Sequence, residues 1–258
     1  SGATLRTHRL AMAATGEYTT FHGGTVADGL AAIATTLNRV NGIYERELAV
    51  RMQLVANNDL IIYTDANTDP YTNSSGTTML GQNTTNLNNV IGNANYDIGH
   101  VVSTGGGGVA SLGSVCSTNN KARGVTGLGS PVGDTFDVDF VAHEIGHQYG
   151  GSHTFNGSGG NCAGGNRSAT SAYEPGSGIT IQAYAGICGA DNLQPNSDDY
   201  FHRRSLDQML AFTTTGGGST CGSTSATGNT PPTVSTTATF TIPALTPFEL
   251  TAAGSDGD

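Results

Sequence analysis

A regular stripe of apolar side chains between residues 25 and 46 limits the folds open to this chain. Its members recur at spacings of three and four residues, which is the period of a helix with one buried face. They are Val26, Leu30, Ile33, Leu37, Val40 and Tyr44. Strand-like patterns lie on both sides of the stripe, at residues 4–14 before it and at 48–56 and 60–64 after it. This order predicts an α/β (α+β) fold with one long helix packed by one face.

Regular patterns become fewer beyond residue 64. Residues 65–81 have the composition of a loop, whereas 84–91 are predicted to form a short helix and 96–103 a strand. Four glycines follow at 105–108. They lack the Lys-Ser/Thr ending of a phosphate-binding loop, so we predict a bulge or a flexible rim there. A last helix is predicted over residues 197–211.

Composition divides the chain into three parts. Residues 1–215 contain most of the regular patterns and are predicted to form the main domain. Residues 216–232 are rich in Thr, Gly and Ser and are predicted to be a linker. Residues 233–258 hold two strand-like pieces, at 233–242 and 247–251. Because so few residues cannot form an independent β domain, we expect the start of a truncated β-sandwich-like module.

Charge and hydropathy argue against two classes of partner. Lys and Arg number 10 against 20 for Asp and Glu, a formal net charge of -10, and no basic patch is visible, so nucleic acid is not expected. The clearest apolar run, residues 60–63, is too short to span a bilayer, and no membrane association is expected. No basic and apolar leader opens the chain at Ser1, as in a mature fragment trimmed at its front.

Four cysteines indicate the redox compartment. They are Cys116, Cys162, Cys188 and Cys221, and none forms the C-x-x-C pair of a zinc ribbon or redox motif. An even count in a chain with only 12% charged residues favours an extracellular protein with two disulfides, for which three pairings exist. Four buried free thiols in a cytosolic protein are the alternative.

Three of the seven histidines fall in one run. His143 and His147 frame an H-E-x-x-H pattern, which places two imidazoles one turn apart on a helix face, where both can bind one zinc ion. Glu144 lies near that face and is predicted to take a proton from a zinc-bound water. Gly150 allows a sharp turn after the helix, so that His153 can supply a third ligand. Three nitrogens leave a fourth position for water, as in catalytic zinc sites; a closed structural site is the alternative.

This run resembles the long signature H-E-x-x-H-x-x-G-x-x-H of the metzincin zinc metalloendopeptidases. The order of elements before it is also similar to that family, and the resemblance covers about residues 3–212. The chain looks most like secreted bacterial enzymes of the reprolysin (adamalysin) group, and residues 153–155 resemble pappalysin-like enzymes. A metzincin-type catalytic domain implies a twisted mixed sheet, a long backing helix and a zinc-binding active-site helix.

The resemblance also implies features around the metal. Metzincins have a methionine in a tight turn below the zinc, and the matching position here holds Gln182. A tyrosine two residues later lies near the metal in astacins and serralysins, which implies that Tyr184 binds weakly or stabilises the tetrahedral intermediate. An aromatic side chain packed beside the cleft is the alternative. Substrate is expected to lie extended beside an edge strand at 97–103, with residues 183–187 forming a wall of the pocket beyond the scissile bond.

The same resemblance bears on the disulfides. Cys162 lies in the loop after the third histidine and Cys188 follows the turn that matches the Met-turn, so a bridge between these two segments is geometrically reasonable. Reprolysin-like enzymes tie a cysteine ahead of the zinc helix to the C-terminal end of the domain, which implies a Cys116–Cys221 bridge.

Together these observations predict a secreted zinc-dependent endopeptidase. It would hydrolyse peptide bonds of extended protein substrates through a zinc-bound water and Glu144 as general base, with His143, His147 and His153 as ligands. Protein or peptide substrates are the expected partners, and a monomer is expected. Calcium is a further candidate ion because acidic residues occur in the loops, although no twelve-residue calcium loop is present. These are Asp65, Asp69, Asp191, Asp198 and Asp199.

Two other functions stay open at this point. A pseudo-enzyme or zinc-dependent adhesion module would keep the histidines and lose the glutamate, but Glu144 is present. A zinc amidase or deaminase for small molecules would use other histidine and cysteine spacings and would need no long cleft.

Overall fold

A mixed sheet lies at the centre of the computed structural model, which describes residues 2–236, 239 and 241–257. Its strands are β1 (Thr4–Ala14), β2 (Val50–Leu54), β3 (Ile98–Ser103), β4 (Val109–Ala110), β5 (Gly124–Gly127) and β6 (Ser223–Ala226). The strand order is β2-β1-β3-β5-β4, and β6 also pairs with β1. The β1–β2, β1–β3 and β3–β5 pairs are parallel, whereas β4 and β6 run antiparallel to their neighbours. The predicted mixed α/β fold is confirmed.

Helices surround this sheet. They are α1 (Gly16–Phe21), α2 (Val26–Leu48), α3 (Gly76–Val90), α4 (Asp134–Phe136), a π-helical segment (Asp137–Ala142), α5 (His143–Gln148) and α6 (Arg203–Thr214). Short 3-10 turns lie at Asn58–Ile61, Asn93–Asn95, Gly160–Cys162, Gly189–Asp191 and Gly217–Ser219. Within the described residues, none of these helices has the length and apolar character needed to cross a membrane.

The two faces of β1 pack into two different cores. Leu10 and Met12 belong to a core that includes the buried face of α2 and apolar residues of α5. Ala11 and Ala13 belong to a second core with apolar residues of α3. Because successive strand residues point to opposite faces, the sheet separates α2 and α5 from α3.

The long helix α2 forms where the apolar stripe predicts it. Thr25 caps its first turn, since the Thr25 side chain accepts a hydrogen bond from the backbone N–H of Asp28. The helix ends at Ala49, which adopts a left-handed conformation with φ of 51°. Ile33 and Val40, two members of the stripe, are fully buried. The stripe therefore packs against the sheet, as a one-sided apolar helix must.

The strand predicted at residues 60–64 is wrong. The chain instead forms the 3-10 turn Asn58–Ile61, and only Ile62 makes an isolated bridge, to Ala14. The buried Asn58 side chain explains the difference. Its amide accepts a hydrogen bond from the Met12 N–H at 2.8 Å and donates one to the Met12 carbonyl at 2.9 Å. The Asn58 side chain thus satisfies the backbone of β1 at Met12 in the place of a neighbouring strand.

Two further predictions, for α3 and for β3, need correction. The helix predicted at residues 84–91 starts at Gly76, because the Ser75 side chain caps it by accepting from Thr78 N–H. The strand predicted at 97–103 is present as β3, but its predicted place at the edge of the sheet is wrong, since β3 lies between β1 and β5. The edge is β4, a two-residue strand that directly follows the predicted glycine rim at 105–108.

The C-terminal part differs from its expected outline. Ser223–Ala226, within the predicted linker of residues 216–232, is β6 and pairs with residues 4–7 of β1. Beyond it, β7 (Thr233–Thr236) pairs antiparallel with β8 (Ala252–Ser255), so the second strand lies after residues 247–251. Residues 237, 238 and 240 of the first predicted piece lie outside the described residues.

Candidate metal centre and active site

His143 and His147 lie on one face of a continuous helix over residues 134–148. In this helix α4 leads into the π-helical segment Asp137–Ala142 and then into α5. The two imidazole centroids are 4.6 Å apart and the rings are perpendicular. Val141 and Ile145 bury the opposite side of the helix in the core. The core therefore fixes which face of the helix the two histidines occupy.

The chain reverses direction at the end of α5. Gly150 has φ of 93°, which favours glycine, and its N–H bonds to the His147 carbonyl at 2.8 Å. The next N–H, of Gly151, bonds to the Gly146 carbonyl at 2.8 Å. These two bonds satisfy carbonyls of the last helical turn. This is the turn that the sequence predicts, and it sends the chain back towards the two histidines.

After the turn, the third histidine meets the first two. The Nε2 atom of His153 lies 3.0 Å from Nε2 of His147 and 3.2 Å from Nε2 of His143. The three residues offer ligand atoms that all lie within 4.8 Å of one another. The structure therefore brings together the three histidines that the sequence analysis singled out.

Each imidazole is held from outside by a backbone carbonyl. The Nδ1 contacts, each 2.6 Å long, join His143 to the Ile181 oxygen, His147 to the Gly151 oxygen and His153 to the Asn166 oxygen. A carbonyl oxygen can only accept, so each Nδ1 carries the proton and each Nε2 presents a lone pair. Three lone pairs then converge without a proton between them, which a shared cation stabilises. The residues fit a Zn²⁺ ion held by three neutral imidazoles.

Burial keeps these imidazoles in the form that binds metal. It lowers the pKa of His143 well below its usual value, lowers that of His147 to about 3 and also lowers that of His153. The hydrogen bonds to the backbone carbonyls oppose the shift but are the smaller effect. A neutral imidazole can donate its Nε2 lone pair to a metal, so the site is prepared for a cation.

Glu144 lies beside this cluster and is almost fully buried. Its side chain is 6% exposed, and its Oε2 atom has no hydrogen-bond partner. Burial raises the pKa of Glu144 to about 8. A Cβ on Gly108 would lie 2.2 Å from Oε1 of Glu144, so the glycine rim directly covers this carboxylate. Glu144 is therefore a desolvated carboxylate with unused hydrogen-bonding capacity next to the three histidines.

A cleft of approximately 320 Å³ runs past His143 and Glu144. The glycine rim at Gly107 and Gly108 lines this cleft, as do residues 183–185, Ile187 and residues 195–197. The wall predicted at residues 183–187 therefore lines the cleft at Ala183, Tyr184, Ala185 and Ile187. The cleft therefore opens onto His143 and Glu144.

Gln182 lies under the active-site helix, at the position expected to match the Met-turn. The turn is closed by a hydrogen bond from Ala183 N–H to the Thr180 carbonyl at 2.9 Å. The Gln182 side chain is fully buried, and a Cβ on Gly146 would lie 2.4 Å from its Oε1 atom. An amide thus occupies the floor below the helix, against the glycine of the H-E-x-x-H run.

Tyr184 packs among the same aromatic rings. Its ring centroid is 4.5 Å from that of His153 and 5.6 Å from that of His143, and it stacks on Phe155 at 4.7 Å. Burial, with a smaller contribution from the Glu144 charge, raises the pKa of Tyr184 to about 12. Tyr184 therefore remains a phenol at neutral pH and lines the cleft.

One other group in the described part of the chain has metal-binding side chains in reach of one another. It combines His8 with Cys116 and Cys221, but the two sulfurs form a disulfide and are not thiolates. The acidic loops have other partners. Asp69 accepts the N–H groups of Gly16 and Tyr71, and Asp191 accepts those of Ser158 and Gly159. These hydrogen bonds explain the two carboxylates without calcium.

Both predicted disulfides are present. Cys162–Cys188 joins the loop after His153 to the segment after Gln182, and Cys116–Cys221 spans a separation of 105 residues. Within the described residues no cysteine is free. The second bridge precedes β6 directly, which fastens the C-terminal end of the domain to the sheet.

The groups that support the histidines from outside were not predicted from the sequence. The carbonyls of Ile181 and Asn166 carry no sequence signal, because every residue has a carbonyl. Glu174, the one acidic residue between 156 and 178, was also not predicted, and it is 5% exposed. A lone carboxylate in a stretch rich in Gly, Ser and Asn was the available signal.

A family model described as metallo-peptidase family M12B, reprolysin-like, matches residues 4–211. No curated protein matches. A chain in a solved structure described as "Structure of a chaperone-substrate complex" is similar with a TM-score of 0.45 and 14% identity, over 81% of this chain and 35% of that chain. This protein thus spans about a third of that chain's length.

The family model decides the assignment. It extends from β1 to α6 and includes all three histidines. Members of such a family are zinc metallopeptidases, which agrees with the three convergent imidazoles. The pappalysin-like features at residues 153–155 receive no support from it. Since the match covers most of its length, this chain belongs to the reprolysin-like metallopeptidases of family M12B.

Proposed function

We propose that this chain is a secreted zinc endopeptidase that cleaves extended protein substrates. His143, His147 and His153 would hold Zn²⁺, and Glu144 would act as the general base. One observation carries the proposal: three unprotonated Nε2 atoms converge beside a buried carboxylate oxygen that has no partner, and this group opens into a cleft.

The proposed chemistry assigns a task to each side chain. When bound, Zn²⁺ supplies a Lewis acid that polarises a peptide carbonyl and lowers the pKa of water. A cation nearby favours the ionised form of Glu144 and so counteracts the effect of burial on its pKa. Glu144 accepts a proton from the attacking water and passes it to the leaving amine nitrogen. The three Nδ1 hydrogen bonds keep the imidazoles neutral and oriented throughout.

Tyr184 is proposed to donate a hydrogen bond to the substrate oxygen that becomes negatively charged. Its raised pKa keeps the phenol proton available, and its ring is fixed by the stack on Phe155. Preorganised donors of this kind stabilise a transition state because they need no reorganisation when charge develops.

The substrate is proposed to lie along β4. This strand is last in the order β2-β1-β3-β5-β4, so within the described sheet its outer edge faces no other strand. The residues just before it, Gly107 and Gly108, line the cleft. An extended peptide added at this edge would pass Glu144 and would be recognised mainly through its backbone.

Secretion and a monomeric state complete the proposal. The two disulfides suit an oxidising compartment. Calcium stays a prediction of the sequence, and the hydrogen-bonded states of Asp69 and Asp191 do not favour it. A metal analysis of the purified protein would measure both ions.

Glu144→Ala tests the assigned chemistry. We expect one zinc per chain in the variant, as in the parent, and a loss of casein turnover of at least about a thousandfold, because the base is lost while the ligands stay. Glu45→Ala, at a half-buried position of α2 where Glu45 pairs with Arg51, is the control and should cleave at the parental rate. Activity of Glu144→Ala within tenfold of the parent, or parental turnover that a zinc chelator does not abolish, would refute the proposal.

A further inference from the structure

Glu174 is a buried carboxylate whose partners are all neutral groups. Its Oε1 atom accepts the hydroxyl of Thr154 at 2.6 Å and also the hydroxyl of Thr180. Its Oε2 atom accepts the backbone N–H groups of Ile179 at 2.8 Å and Thr180 at 3.2 Å. The ion pairs found among the described residues do not include it. Four donors thus compensate the desolvation of one carboxylate.

The backbone of Glu174 belongs to the segment that carries His153. Its N–H bonds to the Thr154 carbonyl at 2.9 Å, and its carbonyl accepts the Asn156 N–H at 2.8 Å. Phe155 and Glu174 therefore form a parallel bridge. Residue 174 is fixed beside the third histidine by two hydrogen bonds that do not involve its side chain.

The side chain of Glu174 reaches the segment that supports the other two histidines. Ile179 and Thr180, which donate to it, directly precede Ile181 and Gln182. The Ile181 carbonyl accepts the Nδ1–H of His143 at 2.6 Å. The Gln182 amide bonds to the Gly151 carbonyl, which accepts the Nδ1–H of His147. One carboxylate thus connects the backbone next to His153 with the segment that supports His143 and His147.

We propose that Glu174 is a positioning residue for the metal centre, which sets the orientation of the imidazoles through the two backbone segments that it joins. This inference rests on the proposed zinc-dependent function, because the orientation matters only if the three Nε2 atoms share one ion. Outer partners of metal-binding histidines typically change metal affinity by 10–100-fold. Since Glu174 contacts the backbone around the histidines and not the imidazoles themselves, we expect a change in metal affinity at the lower end of that range.

A buried carboxylate can also stabilise a fold without influencing a metal, so the test needs a matched control. Asp97 is 2% exposed, and its carboxylate accepts three hydrogen bonds, all from Arg9. None of the hydrogen bonds described for this carboxylate reaches the segments around Glu174. Asp97→Ala should lower the unfolding midpoint of the metal-free protein and leave the zinc affinity within twofold of the parent.

The experiment measures the zinc dissociation constant by chelator competition and the visible spectrum of the cobalt(II)-substituted protein. For Glu174→Ala we expect a rise of about tenfold in the dissociation constant and an altered cobalt spectrum. Glu174→Gln should stay within about threefold. Its amide oxygen can accept the two backbone N–H groups, while its NH₂ donates to the two threonine hydroxyls, which can accept.

Each outcome decides the question. A zinc affinity of Glu174→Ala within twofold of the parent overturns the inference. An equal loss of affinity in Asp97→Ala also overturns it, because it would indicate general destabilisation. An equal loss in Glu174→Gln does so too, because it would indicate a pure charge effect. If Glu174→Ala does not fold, Thr154→Val combined with Thr180→Val removes both hydroxyl donors. We then expect the zinc dissociation constant to rise about fivefold, and a rise of twofold or less overturns the inference. If the parent itself fails to bind zinc stoichiometrically, the proposed function fails and not this step alone.

Discussion

The side-chain amide of Gln182 donates a hydrogen bond to the Gly151 carbonyl oxygen at 3.1 Å, and that oxygen also accepts the Nδ1–H of His147 at 2.6 Å. A methionine at this position could not make that bond. Gln182 is therefore more than packing below the helix, because it contacts the group that orients a histidine. The same amide has an unsatisfied side, since its buried Oε1 atom has no partner.

Gln182→Met should raise the free energy of unfolding of the metal-free protein by about 1 kcal/mol. The change keeps the side-chain length and removes a buried oxygen without a partner, at a penalty of about 1–3 kcal/mol, while one hydrogen bond of about 1 kcal/mol is lost. Urea denaturation measures the difference. Gln53→Met, on the exposed face of β2, is the control and should change little. A clear loss of stability in Gln182→Met would mean that the hydrogen bond to Gly151 outweighs the unpaired oxygen.

Gly108→Ala should reduce turnover by about a hundredfold while zinc binding stays intact. The new Cβ would lie 2.2 Å from Oε1 of Glu144, so the carboxylate must move, and a displacement near 1 Å from the reacting geometry has effects of this size. Gly129→Ala, where no atom lies within 4 Å of the added Cβ, is the matched control. Equal turnover in the two variants would show that the rim does not constrain Glu144.

The two disulfides should have different effects when replaced by alanine pairs. Cys116–Cys221 closes the longer loop, so its loss should lower the unfolding free energy by about 4–5 kcal/mol in the chain-entropy model. Cys162–Cys188 pins the loop that contains Asn166, whose carbonyl holds His153. Its loss should therefore weaken zinc binding more than the loss of the other bridge does. Denaturation and chelator competition on both variants check this, and the reverse order of zinc affinities would contradict it.

His100 should make stability depend on pH. It is fully buried between Gln148 and Thr126, and burial lowers its pKa to about 4. The unfolded chain, with a histidine pKa of about 6.5, then binds more protons than the folded chain between these values. The unfolding free energy should fall as the pH decreases from about 6.5 to about 4, by up to about 3 kcal/mol from this residue.

His100→Gln isolates that contribution. The variant keeps side-chain hydrogen-bonding groups at this position, but it has no proton to take up. Urea denaturation at pH 7.5 and at pH 4.5 should show a smaller difference between the two conditions for the variant than for the parent. The same pH dependence in both proteins would assign the acid sensitivity to other groups.

Several features could be predicted from the sequence because local spacing specifies them. The stripe from Val26 to Tyr44 gives α2, and strand 4–14 appears as β1 with the predicted bounds. The four-residue spacing of His143 and His147 and the turn at Gly150 belong to one helix and its end, so they depend on neighbours in the chain. These parts of the fold and of the candidate site need little tertiary information.

Tertiary structure decided the features that depend on distant partners. β3 could not be recognised as a central strand, because its neighbours β1 and β5 lie far away in the chain and pairing leaves no local pattern. Residues 60–64 have the pattern of a strand, but the Asn58 side-chain amide forms the hydrogen bonds to the Met12 backbone instead. The orientation of the histidines depends on carbonyls that every residue possesses. The sequence thus determined which groups are proposed to bind the metal, whereas folding determined what holds them, since positions 151, 166, 174 and 181 meet only after packing.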